Sequence, residues 1–331
     1  VSNPGPLLLV LDGNSLMHRT YHAGAADAGE LDAWALRGFA RYAARAVARL
    51  RPDAVVVGFD CPEESARRAD YPGYKAHRPD KPGELVAQLA AAPGLLRAAG
   101  LCTVVPGGYE ADDVLASSAA QARRAGWRSI LMTSDRDAFA LIDDATSVLR
   151  IRNGGFDEAV LIDAAGLHEL CGVHPHQYLD YAALRGDPSD NLPGVRGFGA
   201  AISARLLASL GTVDAAWADL DAGGHAVRAA VGEQAAERLA APDARQVVAR
   251  NRRLMRMRAD LPIPHLDGAR LPLDTATVRA ALAVSGGPTL GPALWALTAT
   301  RNTRVTEPHP PVFRRPQRHR REPSPGQLAL F

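Results

Sequence analysis

Short, uninterrupted apolar runs recur along the first half of the chain, at residues 7–11, 54–59 and 129–133, with a weaker one at 101–105. Runs of this length, rich in Val, Ile and Leu, predict strands buried on both faces, as in a parallel sheet. Between them the apolar period changes to that of a helix. Residues 31–50 place apolar positions on one face and Arg on the other, and 83–99 and 113–125 follow the same rule. Strands alternating with helices predict an α/β layered fold. Residues 147–151 and 156–161, joined by Asn153-Gly154-Gly155, predict a hairpin at the sheet edge.

Beyond Asp163 the pattern becomes short helices broken by Gly and Pro, continuing to about Leu297. This predicts a second, helical domain, with the boundary near residue 172. Residues 302–331 hold six Pro and six Arg with little apolar content before the last few positions, which predicts a disordered tail. Residues 61–81 are rich in charge and Pro, too polar for core, and are expected to form a mobile segment over a site.

Composition narrows the class. The 331 residues are 47% hydrophobic, enough for one large or two modest domains. No apolar run reaches the ~18 residues of a membrane span, and no secretory signal is expected at the start. Cys61, Cys102 and Cys171 are isolated, which argues against a disulfide framework or a zinc site and suits a reducing cytoplasm. The formal charge of +2 is unevenly spread: residues 302–331 carry a net +4, leaving −2 on the rest. A near-neutral body of that kind does not bind nucleic acid by bulk charge, so any such binding must be local. Lys75 and Lys81 are the only lysines.

The candidate chemistry lies in the acids. Asp12, Asp60 and Asp135 each follow one of the predicted strands, and the carboxyl ends of parallel strands converge on the edge where ligands bind. Glu110, Asp112 and Asp113 open a predicted helix, Asp135 and Asp137 flank Arg136, and Asp187 and Asp190 stand three apart. Any one of these alone is most simply a helix cap. Nine carboxylates gathered together would repel one another unless cations intervene. Oxygen-rich sets of this sort, without sulfur and nearly without histidine, suit Mg²⁺ or Mn²⁺. Two such ions can clamp a scissile phosphate.

Several motifs then occur together: Leu11-Asp12-Gly13-Asn14-Ser15 with Arg19 following, Gly58-Phe59-Asp60, Tyr74-Lys75-Ala76-His77-Arg78, Gly108-Tyr109-Glu110-Ala111-Asp112-Asp113, Thr133-Ser134-Asp135-Arg136-Asp137, and Gly186-Asp187-Pro188-Ser189-Asp190-Asn191-Leu192-Pro193-Gly194-Val195. In order and spacing they resemble the bacterial 5′→3′ exonuclease and flap-endonuclease family, the nuclease domain found at the front of DNA polymerase I and also as a stand-alone protein. The resemblance implies a PIN-like catalytic domain at 1–172 with an arch segment at about 61–100. A helical domain at 173–300 carrying a helix–hairpin–helix (H3TH) element would follow, then the tail from 301. It implies that Asp12, Asp60, Glu110 and Asp112, with Asp113 beside them, serve a first metal ion, and that Asp135, Asp137, Asp187 and Asp190 serve a second. Lys75 would approach the scissile phosphate, Arg78 would steer nearby phosphates and Arg19 would meet the nucleic acid, while the Tyr74 ring could stack on a base or equally pack the segment against the body.

Gly194-Val195-Arg196-Gly197-Phe198-Gly199 reads as a tight turn between helices, whose exposed N–H groups can hold a phosphate without reading sequence. The resemblance makes it the duplex-gripping hairpin, with Gly194, Gly197 and Gly199 shaping it and K⁺ as a companion ion. The family commonly follows this hairpin with Lys and Thr; this chain has Ala201 and Ile202, which shifts the expected duplex contact onto Arg196 and Arg205. The final Gln327-Leu328-Ala329-Leu330-Phe331 looks like the peptide by which replication proteins dock on a sliding clamp, with Gln327, Leu328, Leu330 and Phe331 as anchors.

The expected activity is metal-dependent removal of 5′ flaps and RNA primers from nicked or branched DNA by a stand-alone cytoplasmic protein with no membrane association. Two other readings follow from the same residues: a catalytically weak branched-DNA binder tethered to the clamp, and a ribonuclease on a related acidic fold. The complete carboxylate set argues against the first, and the hairpin argues against the second.

Overall fold

The computed structural model describes residues 5–24, 33–284 and 291–299. The described residues form two compact units. One draws on the described residues of 5–66, 80–161 and 257–299, the other on those of 67–79 and 162–256. The tail, with its anchors Gln327, Leu328, Leu330 and Phe331, lies outside the described residues.

The first unit is an α/β layer built on six strands: β1 (Leu7–Asp12), β2 (Ala54–Gly58), β3 (Cys102–Val104), β4 (Arg128–Thr133), β5 (Thr146–Arg152) and β6 (Gly155–Ile162). Their order is β3-β2-β1-β4-β5-β6, with parallel pairing from β3 through β5 and β6 at the edge. Every residue of β1 and β2 is buried, as a central parallel strand covered by helices on both faces requires. The register pairs Asp12 with Gly58, and Leu11 with Met132, so the carboxyl ends of β2, β1 and β4 lie side by side.

Helices α1 (Gly13–Gly24), α2 (Trp34–Leu50), α4 (Gly83–Ala98) and α5 (Ala111–Arg124) fill the connections, while α3 (Ala66–Asp70) belongs almost wholly to the second unit. The sequence pattern does not announce α1. Its Gly, Asn, Ser, His and Thr content masks a buried strip of Leu16, Met17, Thr20 and Tyr21. Within the arch expected over about 61–100, the helix that the apolar period predicts over 83–99 is present. Residues from Gly83 onward form α4, which buries Leu85, Ala92 and Leu96 in the core of the first unit.

The helical second domain was expected to run to 300. The segment from Met257 instead returns to the first unit. Leu271 N–H donates to the Asp53 carbonyl at 3.0 Å, and Val278, Leu282, Leu294 and Leu297 join the same core as Leu85 and Leu96. The apolar positions of this stretch find a better burial beside α2 and α4 than short helices could offer each other.

The second unit is helical: α6 (Ala164–Cys171), α7 (Tyr178–Arg185), α8 (Ala200–Leu210), α9 (Val213–Asp221), α10 (His225–Val231), α11 (Glu233–Ala240) and α12 (Pro242–Met255). α7 packs on α12 and α8. Buried polar side chains stitch these helices together. Asn251 donates to the Ala183 and Pro193 carbonyls at 3.0 Å, Gln177 to those of Leu207 and Gly211 at 2.9 Å, and Asp180 accepts from Arg252 and from the Val213 N–H. Each of these would be costly to bury unpaired, so together they fix one arrangement of the helices. Two further helices close the first unit, α13 (Thr275–Val284) and α14 (Gly291–Ala296).

Candidate active site

The carboxyl ends of β1, β2 and β4 carry Asp12, Asp60 and Asp135, as the strand pattern predicts. Asp12 is 3% exposed. Its Oδ2 accepts from Thr133 Oγ1 at 2.6 Å and its Oδ1 from the Ser15 N–H at 2.9 Å, so it also caps the start of α1. Burial is the main cause that pushes its carboxyl up, to about 7; the two hydrogen bonds oppose the shift, and the charges of Asp60 and Asp135 add to it.

Asp60 is held from two sides. Its Oδ2 accepts from Asn14 Nδ2 at 2.6 Å, and its Oδ1 from the Ala111 N–H at 2.9 Å, while its own N–H donates to Asn14 Oδ1 at 3.0 Å. Asp135 N–H donates to Thr133 Oγ1, and Asp135 Oδ1 accepts from the Asp137 N–H, both at 3.0 Å. Ser15 and Ser134 join through their hydroxyls, and Ser134 N–H donates to Ser15 Oγ at 3.0 Å. Asn14, Ser15, Thr133 and Ser134 are therefore the supports of the acidic edge. The sequence reading quoted them within motifs without giving them roles. Their local signal is a small polar residue within three positions of Asp12 or Asp135.

Glu110 and Asp112 stand at the start of α5, where the positive end of the helix dipole favours carboxylates. Asp113, expected beside the first metal, has a structural task in the fold. It is fully buried, and its oxygens accept from the Glu110 N–H at 3.0 Å and the Arg258 N–H at 2.8 Å. It fastens the helix start and the returning chain to each other.

The donor chemistry at this edge fits a hard divalent cation. The donors are oxygens, and the buried, like-charged Asp12 is a group that positive charge would relieve. Among the described residues, no three His, Cys, Asp or Glu side chains stand close enough to ligate one ion. Mg²⁺ commonly keeps several waters and takes one or two protein carboxylates, a shell that such an open arrangement can complete.

Arg19 lies partly buried on α1, its Nη1 donating to Asn153 Oδ1 at 3.4 Å. Its Nε is buried with no hydrogen-bond partner among the described residues, and burial draws its guanidinium below the usual Arg range.

In the second unit, Asp187 accepts from the Ser189 N–H at 2.7 Å and the Ser189 hydroxyl at 2.8 Å. Asp190 is 7% exposed and is gripped by the 67–79 segment: Arg78 Nη2 reaches its Oδ1 at 2.5 Å, Lys75 Nζ stands 4.0 Å from its Oδ2, and the Lys75 N–H donates to its carbonyl at 3.0 Å. Arg78 Nε donates to the Ser189 carbonyl and Asn191 Nδ2 to that of Gly73. The cations expected on phosphates thus face a carboxylate. Of the two roles open to the Tyr74 ring, stacking on a base or packing the segment, its burial here favours packing. It is 4% exposed, and the Lys75 ammonium lies over it at 4.7 Å from the ring centre.

The turn at 194–199 is built by close backbone approach. A Cβ on Gly194 would overlap the carbonyl of Arg185, and one on Gly186, at φ 74°, would overlap the Gly194 amide. Gly197 has φ 84°, and a Cβ there would strike the Arg238 guanidinium. Gly199 leads into α8, and Arg196 and Arg205 are exposed.

A parallel sheet with a carboxylate at each of three adjacent strand ends, followed by a helical unit, defines a resolvase-like nuclease architecture. Residues 7–172 match the 5′-3′ exonuclease N-terminal resolvase-like domain and residues 173–275 the 5′-3′ exonuclease C-terminal SAM fold; the chain belongs to the 5′-3′ exonuclease family. It is 36% identical over 262 residues to DNA polymerase I of Mycobacterium tuberculosis, covering 78% of this chain and 28% of that protein. It is 39% identical over 220 residues to the thermostable DNA polymerase I of Thermus aquaticus, covering 66% of this chain and 26% of that one. The chain thus spans little more than a quarter of these relatives. Among solved structures, the fold resembles the T5 D15 protein co-crystallised with metal ions (TM-score 0.62, 18% identity, 88% of this chain and 98% of that one). It also resembles the catalytic core of Rad2 in complex with DNA substrate (TM-score 0.55, 15% identity, 89% and 92%). No helix among the described residues is long and apolar enough to cross a membrane.

Proposed function

We propose that the chain hydrolyses phosphodiester bonds near the 5′ ends of nicked, flapped or RNA-primed duplex DNA, with Mg²⁺ or Mn²⁺ at the carboxyl edge of β1, β2 and β4. The observation that carries this reading is Asp12, a buried carboxylate raised to about 7 and crowded by Asp60 and Asp135. Buried like charges are expensive to keep for structure alone, and they are worth keeping where a cation is to be held. Asp12, Asp60, Glu110, Asp112, Asp135 and Asp137 are the oxygens this unit offers.

Bound divalent ions would polarise the phosphate and lower the pKa of an attacking water. The chain's own part is to hold the carboxylates in place: Thr133 and Ser15 fix Asp12, Asn14 and the Ala111 amide fix Asp60, and the Thr133 hydroxyl orients the Asp135 backbone. Lys75 and Arg78 would exchange Asp190 for phosphate and so place positive charge on the strand being cut. A two-ion division of labour rests on the family resemblance, as do K⁺ at the 194–199 turn and clamp docking through Gln327, Leu328, Leu330 and Phe331.

The test is cleavage of end-labelled 5′-flapped, nicked and RNA–DNA substrates with Mg²⁺ or Mn²⁺, beside free single-stranded RNA. Metal-dependent release of short 5′ products by the wild type, abolished by Asp135→Ala with substrate binding retained, is the expected result. Intact flapped and nicked substrates with the wild type would refute the reading.

A further inference from the structure

The arginines of the second unit fall into two groups. Most are spoken for by carboxylates or carbonyls: Arg78 by Asp190, Arg228 by Glu233, Arg245 by Asp221, Arg252 by Asp180 and Asp214, and Arg253 by Asp70. Arg196, Arg205, Arg238 and Arg256 have no side-chain ion pair or hydrogen bond among the described residues; Arg256 is an exposed residue at the end of α12, apart from the other three. Those three come from different places in the sequence, yet all belong to the 194–199 turn or the elements touching it. Arg196 lies in the turn, Arg205 lies on α8, into which the turn leads, and Arg238 reaches the turn from α11.

Arg238 is the informative member. Its guanidinium occupies the space above the Gly197 α-carbon where any other residue would carry its Cβ. The glycine at φ 84° leaves a seat, and an unpaired cation fills it. A guanidinium kept for structure in this unit finds a carboxylate or a carbonyl, as its neighbours do. One left half-exposed on a backbone turn with no acceptor keeps its planar fork of donors for something outside the chain. Ala201 and Ile202, in the first turn of α8, bring no charge of their own.

We propose that Arg238, seated on Gly197, is a phosphate-contacting residue that completes with Arg196 and Arg205 a cationic surface for the backbone of duplex DNA. The inference rests on the DNA-acting reading above and adds to it a residue some forty positions beyond the turn. Contact with phosphate from this surface positions the duplex and reads no sequence.

The test is fluorescence anisotropy with a labelled duplex and a labelled 5′-flapped duplex, in metal-free buffer over a series of NaCl concentrations. Each phosphate contact contributes roughly 0.9 to the slope of log K against log salt. Arg238→Gln is therefore expected to lower that slope by about 1 and to weaken binding roughly 5–10-fold near 0.1 M salt, by about the same factor for different sequences. Arg238→Lys should keep the slope, and both variants should keep the wild-type thermal midpoint. An unchanged slope in Arg238→Gln overturns the proposal. So does a drop in thermal midpoint shared by both variants with the slope intact, which would make Arg238 a strap for the turn. A wild-type protein with no salt-dependent duplex binding overturns the DNA-acting reading and this inference together, whereas wild-type binding with Arg238→Gln unaltered overturns this inference alone.

Discussion

Thr133 Oγ1 donates its hydrogen to Asp12 Oδ2 at 2.6 Å and itself accepts the Asp135 N–H at 3.0 Å, so one buried side chain serves two acids on adjacent strands. Thr133→Val keeps the shape and removes both bonds. It leaves Asp12 with less support for its charge and the Asp135 amide without its acceptor. We expect a stability loss of about 1–3 kcal/mol in chemical denaturation. The acid limb of the pH–rate profile should also move to higher pH, since Asp12 then deprotonates later. An acid limb that stays in place in Thr133→Val would refute the coupling.

The raised carboxyl of Asp12 predicts how the metal-free protein responds to pH. Its pKa is about 7 in the folded chain and near 3.8 unfolded. Below about pH 4 both states hold the proton and the group contributes nothing. Between pH 4 and 7 the folded state binds more protons, so stability from this group falls as pH rises, and above pH 7 the loss is complete. A shift of this size corresponds to about 4 kcal/mol. Asp12→Asn should therefore raise the metal-free thermal midpoint at pH 8 and abolish cleavage. Mg²⁺ should raise the midpoint of the wild type more than that of the variant. Equal midpoints for the two metal-free proteins at pH 8 would contradict the assignment.

Asn14 spends both ends of its amide on Asp60, donating to the carboxylate and accepting from the backbone. Asn14→Ala frees Asp60 to rotate. By the usual cost of removing a group that orients a ligand, metal affinity should fall roughly 10–100-fold. Titration with Mn²⁺ followed by electron paramagnetic resonance measures this directly, and an unchanged affinity would leave Asn14 a structural residue only.

Asp190 fastens residues 67–79 through Lys75 and Arg78. Asp190→Asn weakens both ion pairs while preserving shape. Limited trypsin digestion should then cleave faster after Lys75, with sites elsewhere in the second unit unaffected. No change in that rate would mean that the backbone bonds from Lys75 and to Gly73 hold the segment unaided.

Gly186→Ala would drive a methyl group into the Gly194 amide and the Leu192 carbonyl at a positive φ. Backbone cannot move aside as a side chain end can. We expect a loss of at least about 2–3 kcal/mol by denaturant titration, where a Gly→Ala change at an unstrained position would instead stabilise by about 0.4–1 kcal/mol.

The strands and the acids at their ends were legible in the sequence because a buried parallel strand writes itself as an apolar run, and its end as the first polar residue. Leu7–Asp12 and Arg128–Thr133 were visible in this way. Helix α1 was not, since its buried strip is short and set among polar residues that serve the acidic edge. In the sequence Asp113 is indistinguishable from its acidic neighbours. Only its burial against the Arg258 amide separates it from them, and a partner 145 positions away leaves no local trace. Tyr74 stayed open and Arg238 escaped for the same reason: what decides the role of each is the face it meets in three dimensions.

The bond between Asp113 and Arg258 also bears on the order in which the chain can mature. The sheet unit contains Val278, Leu282, Leu294 and Leu297 in the same core as Leu85 and Leu96. During synthesis, domains emerge and fold from the N-terminal side. Here the helical unit leaves the ribosome first as a finished piece, and the sheet that began the chain must wait for residues beyond 290. Until then Asp113 is a buried acid short of one partner, and the nascent nuclease has its acidic edge on an unclosed core. The core beneath the acidic edge is thus complete only once the chain has passed Leu297.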